Sequence, residues 1–165
     1  VGGAIAQIPV GWLADRFDRR AVLIWLSVAS VAACALTVAL GGAGPVGVFL
    51  AAGFFGLTTF PIYSVSTAHA HDRAEPLERV ELSAALMFLY GVGAIASPLI
   101  ASVLIAWFGP PGMFAFIALA HVALVVFGLW RSLVGPRSAA RTGYVYVPRT
   151  SYLIGRLLGR NDDRS

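Results

Sequence analysis

The chain is 165 residues long, 58% hydrophobic and only 12% charged, with a formal net charge of +4. Soluble domains sit nearer about 45–50% apolar and about 25% charged, so this composition, with a mean hydropathy of +0.80, excludes an ordinary soluble fold. The single cysteine, Cys34, excludes an internal disulfide and a cysteine-based metal site. A chain without lysine also cannot carry the GxxxxGK[ST] phosphate loop of an ATP-driven transporter.

A helix needs about 20 apolar residues to cross a hydrocarbon core about 30 Å thick. Residues 1–13 form an apolar run that would be only about 20 Å long as a helix. It is expected to be the tail end of a truncated helix, and it lacks the basic start and cleavage site of a signal peptide. The charged stretch Asp15-Arg16-Phe17-Asp18-Arg19-Arg20 follows. Residues 21–41 are the first run long enough to span, and the uncharged turn Gly41-Gly42-Ala43-Gly44-Pro45 leads into the second, 46–68. A charged connection over 69–81 precedes the third, 82–107; the uncharged turn Gly109-Pro110-Pro111-Gly112 precedes the fourth, 113–130. The fold class expected is all-α, a polytopic transmembrane helix bundle over residues 1–131, followed by an Arg-rich tail over 132–165. In that tail Leu153, Ile154, Leu157 and Leu158 alternate with Arg156 and Arg160. This pattern fits either a short amphipathic turn on the membrane or a solvated segment.

All 12 basic residues are arginines. Three lie in the first charged loop, two in residues 69–81, and the remaining seven run from Arg131 to Arg164. Alternate connections thus carry all the positive charge, and the positive-inside rule makes that side, and the C-terminus, cytoplasmic. A sequence pI near 9.8 raises nucleic acid as a partner, but arginines that flank apolar runs point to the lipid bilayer and not to nucleic acid. Trp12, Trp25, Trp107 and Trp130 fall near segment ends, as interfacial tryptophans do. The first segment runs from outside to inside, so a further segment is expected before it.

With the loop placed, its pattern reads Gly11-Trp12-Leu13-Ala14-Asp15-Arg16-Phe17-Asp18-Arg19-Arg20, then Ala21-Val22-Leu23. It resembles the G-x-L-a-D-r-x-G-r-r/k-x-x-l signature of the major facilitator superfamily, which joins the second and third helices of each six-helix half. The departure is Asp18, where the family usually has Gly. The resemblance implies that the segments are the eighth to twelfth helices of a twelve-helix transporter, with an N-terminal half missing. It also implies a cytoplasmic latch built from Gly11, Asp15, Arg16, Arg19 and Arg20. Gly11 would let two helices approach closely, Asp15 would face a helix N-terminus, and the arginines would meet anionic lipid or Glu75, Glu78 and Glu81. A generic positive-inside loop is the other reading. Phe60-Pro61-Ile62-Tyr63-Ser64, Ala68-His69-Ala70-His71-Asp72-Arg73 and the tail Val145–Ser151 resemble a bacterial branch of permeases, which implies the bacterial inner membrane.

Polar side chains inside a span should face a cavity. Thr59, Tyr63, Ser66 and Thr67 share one helical face; Ser83, Met87, Tyr90, Ala94, Ser97 and Ala101 share another. Thr59, Tyr63, Tyr90 and Ser97 are the candidate substrate contacts. Helix–helix packing is the alternative for the small ones. Pro61 and Pro98 each free a carbonyl inside a span, as gating kinks or as ordinary membrane-helix prolines. His121 is central in the last run, either in a proton relay or bonded to neighbouring backbone. His69-Ala70-His71-Asp72 has spacing poorly suited to a metal, and no metal or cofactor is expected. Ser64 and His69, five apart, do not share a face, so an enzyme is not expected. Two functions follow: secondary transport of an unknown small organic solute by alternating access, or a membrane-embedded structural or assembly fragment with no transport of its own.

Overall fold

A computed structural model describes residues 2–75 and 77–134. They fold into five helices: α1 (Gly2–Arg16), α2 (Arg19–Leu40), α3 (Gly44–His71), α4 (Arg79–Phe108) and α5 (Pro110–Val134). Among the described residues there is no strand. Helices α2 to α5 are long and apolar enough to cross a membrane, at 22 to 30 residues each; α1, at 15 residues, is not among them. The part of the expected tail from residue 135 onward, including the 153–158 pattern, lies outside the described residues.

The connections are shorter than the sequence suggests. The charged loop reduces to Phe17-Asp18, because Asp15 and Arg16 end α1 while Arg19 and Arg20 begin α2. Phe17 N–H closes on the Leu13 carbonyl at 2.9 Å. Asp18 then caps α2, its Oδ1 accepting the Arg20 backbone N–H at 2.9 Å. With φ −59° and ψ 119°, this position is extended backbone that needs no glycine. The departure from the family pattern therefore substitutes a helix cap for a glycine turn. The expected turn over 109–112 contracts to Gly109, in the left-handed region at φ 71° that glycine tolerates best. Pro110 and Pro111 lie in the first turn of α5, where a missing N–H costs nothing.

Helix α2 packs on α3 and α5, α1 packs mainly on α3, and α4 lies mainly on α5. Hydrocarbon provides no hydrophobic drive between helices, so small residues that let backbones approach make the seams. Ala33 and Ala51 are fully buried, and Ala6, Ala14 and Cys34 nearly so. At Gly128 of α5 an added Cβ would meet Ile24 Cγ1 of α2 at 2.8 Å. At Gly11 an added Cβ would meet nothing within 4 Å among the described residues. Helix α4 has no buried residue; Met87, Ile95 and Leu99 lie on its open surface.

Several serine and threonine hydroxyls bond back to their own helix, which removes an unsatisfied donor. Thr37 donates to the Ala33 carbonyl at 2.7 Å, Ser102 to Leu99 at 2.8 Å and Ser132 to Gly128 at 2.8 Å. The α2–α5 seam gives a direct expectation. Gly128→Ala should destabilise the purified protein by about 1–3 kcal/mol through overpacking, whereas Gly91→Ala, on open α4 surface, should leave the thermal midpoint unchanged or slightly raised. Equal midpoints for the two variants in detergent would contradict the seam.

Candidate functional site

Three arginine-bearing connections converge at one end of the bundle. Arg19, only 19% exposed in its side chain, bridges two carboxylates, reaching Asp72 Oδ1 at 2.9 Å and Asp15 Oδ1 at 3.3 Å. It joins the start of α2 to the end of α1 and to the residue that caps α3. Arg20 Nη1 donates to the Arg131 carbonyl at 2.9 Å, tying α2 to the last turn of α5. Arg16 lies 4.3 Å over the Trp12 ring, a cation–π contact. His71 Nδ1 donates to the Thr67 carbonyl at 2.9 Å and its Nε2 meets Ser83 Oγ at 3.0 Å, which brings the end of α3 to the first turn of α4.

The partners differ from those the sequence suggests. Arg19 pairs with Asp72 rather than with Glu75, Glu78 or Glu81, because α3 runs three residues past its apolar stretch and carries Asp72 to the loop. Helix capping belongs to Asp18, while Asp15 receives Arg19. His69 meets the Arg73 guanidinium while His71 meets Thr67 and Ser83, so the two imidazoles have separate partners.

Of the four candidate cavity residues, the fold brings two together. Tyr63 of α3 and Tyr90 of α4 lie with ring centroids 5.1 Å apart, tilted by 56°. They are 45% and 60% exposed, on the open side of the bundle. At a rise of about 1.5 Å per residue they sit about 12 Å and about 16 Å along their helices from the arginine end, near mid-depth of a core about 30 Å thick. Thr59, one turn beyond Tyr63, has a buried Oγ1 with no hydrogen-bond partner among the described residues. Ser97 is exposed on α4, two turns beyond Tyr90, and Ser66 turns into a different cavity. Pro61 is buried in α3 and Pro98 exposed in α4.

Two cavities lie apart from the Tyr63–Tyr90 face, and both are bordered by residues of the charged-loop signature. One of about 110 Å³ lies between α1 and α3, beside Gly11, Asp15, Arg19 and Pro61. There the Ser64 hydroxyl donates to Gln7 Oε1 at 3.2 Å. Gln7 was legible as the lone amide in the first apolar run. The larger, about 370 Å³, opens between α2, α3 and α5 at the arginine end. His121 of α5 is 8% exposed, and neither ring nitrogen has a partner among the described residues. The backbone bond expected for it is not formed. Ser30 Oγ is likewise buried and without such a partner.

A family model described as Major Facilitator Superfamily matches residues 1–158. No curated protein and no solved structure matches the chain.

The Arg19 bridge can be measured by a double-mutant cycle on thermal or denaturant unfolding. Arg19→Gln and Asp72→Asn should show a coupling of about 0.5–1 kcal/mol, smaller at high salt because the pair is partly exposed. Strict additivity at low salt would contradict the bridge.

Proposed function

The chain belongs to the Major Facilitator Superfamily, and we propose that it forms the second half of a twelve-helix permease moving a small organic solute by alternating access. Helices α1 to α5 act as the eighth to twelfth helices, and an N-terminal half packs against the face carrying Tyr63 and Tyr90. The protein sits in a bacterial inner membrane with the arginine end and C-terminus in the cytoplasm, as the positive-inside rule favours.

The observation that carries this reading is the Tyr63–Tyr90 pair. Two phenolic rings meet at mid-depth on a surface that none of the described helices covers. Each brings a hydroxyl that donates and accepts, plus an apolar face. Permeases of this architecture hold substrate near the midplane between halves, and a tyrosine pair suits a solute with both hydroxyl and apolar surface. Thr59 adds a hydroxyl one turn away, and Ser97 extends the same face of α4. Pro61 and Pro98 lie within the two helices that carry the tyrosines. Each removes one ladder bond at a place where a gating bend is useful. At the arginine end, Gly11, Asp15, Arg16, Arg19 and Arg20 form the latch: Arg19 holds Asp15 and Asp72 in one state and releases them as the halves rock.

Transport can be tested with the full-length gene product in proteoliposomes, using a panel of labelled sugars, amino acids, organic acids and hydrophobic dyes. At least one class should be taken up, and Tyr63→Ala or Tyr90→Ala should lower its initial rate at least tenfold. Tyr63→Phe and Tyr90→Phe separate the role of hydroxyl from ring. Failure to move any solute down or against a gradient would sink the transport reading. Normal rates in both alanine variants would sink the site.

A further inference from the structure

We propose that the cavity between α2, α3 and α5 is a binding site for a phosphate-bearing anion, separate from the tyrosine face and not dependent on the transport reading. The cavity is about 370 Å³, and its polar lining comprises Arg20, Arg73, Arg131, His69, Ser27 and Ser66. Three arginines from three different helices or helix ends border it. No residue that lines it is acidic. Two carboxylates act on the cavity from outside its lining: Asp18, whose Oδ1 caps α2, and Asp72, which Arg19 engages at 2.9 Å.

Arginines gathered around a cavity whose lining carries no carboxylate repel one another, and an anion bound among them relieves that repulsion. Guanidinium is the group best matched to phosphate, through paired N–H donors in a fixed fork. Arg20 uses one of its nitrogens to hold the Arg131 backbone carbonyl, which fixes its head at the cavity. Arg73 packs against the His69 ring, which fixes a second. Ser27, 2% exposed, and Ser66 add hydroxyls that can donate to a phosphate oxygen. The deeper wall is apolar, formed by Leu23, Ile24 and Phe127. A charged mouth at the arginine end over an apolar wall fits a phospholipid headgroup with its acyl chain lying along α2 and α5. Basic pockets between membrane helices bind anionic headgroups in this way.

The test uses the purified full-length protein in detergent, stripped of lipid and examined by native mass spectrometry. Phosphatidylglycerol, phosphatidylcholine and inorganic phosphate are added in separate arms. Retention of phosphatidylglycerol over phosphatidylcholine, reduced at least tenfold in an Arg20→Gln/Arg73→Gln/Arg131→Gln variant but unchanged in Arg79→Gln, identifies a lipid headgroup. Inorganic phosphate bound with the same dependence on the three arginines, without preference between the lipids, supports the site and identifies a soluble phosphate. Equal binding of every probe by wild type and triple variant, or no binding to wild type, overturns the proposal. Because the triple variant can lose its fold, wild-type protein is also labelled with a photoactivatable phosphatidylglycerol. Crosslinks concentrated between residues 20 and 27, 62 and 73, and 124 and 131 support the site. Labelling spread over the exposed face of α4 contradicts it.

Discussion

A peptide group in the hydrocarbon core has no water to bond, so each spanning segment must close its own backbone ladder along its whole length. Helices α2 to α5 do this over 22 to 30 residues, and Thr37, Thr58, Ser83, Ser102 and Ser132 follow the same rule by folding back onto carbonyls about one turn earlier. Lipid tails are as apolar as leucine, so burial alone does not bring these helices together. The seams are therefore built from Ala33, Ala51 and Gly128 rather than from large side chains, and the bulky residues are left facing outward.

Where the helices leave the hydrocarbon, charge takes over. Arg19 and Arg20 occupy the first turn of α2, the most central helix, and each reaches a different neighbour. One secures the ends of α1 and α3 through carboxylates; the other secures the end of α5 through a carbonyl. Among the described residues the opposite end has no such device: the connections there are Gly41 to Ala43 and the single residue Gly109. The bundle is thus clasped at one end and joined at the other by short uncharged turns. An end fastened by ion pairs suits the alternating-access motion proposed for this protein.

Much of this was legible in the chain itself. Apolar runs near 20 residues long have few alternatives to spanning helices, and arginines confined to alternate connections order those helices. The signature around Asp15 carried the family, which the match over residues 1–158 bears out. Partners were harder to read, because pairing depends on where helices stop. Three extra residues on α3 put Asp72, and not Glu75 to Glu81, opposite Arg19. Gly11 looked like a packing glycine, yet among the described residues the close inter-helix contacts fall at glycines such as Gly3 and Gly128, since which glycine meets a neighbour depends on helix rotation and not on motif. The cavity at the arginine end assembles from helices distant in sequence, so no local spacing announces it. Tyr63 and Tyr90 were visible as polar rings on helical faces, but their meeting required knowing that α3 and α4 are neighbours.

The arginine-bearing connections lie at one end of the bundle and the uncharged turns at the other, and the proposed topology puts the arginine end in the cytoplasm. Single cysteines introduced by Phe17→Cys, Ala43→Cys and Ala74→Cys, each in a Cys34→Ala background, report this directly through labelling with a membrane-impermeant maleimide. In intact cells the cysteine at position 43 should label, while those at 17 and 74 should label only after the membrane is permeabilised. Labelling of position 17 or 74 in intact cells, with position 43 protected, would contradict it.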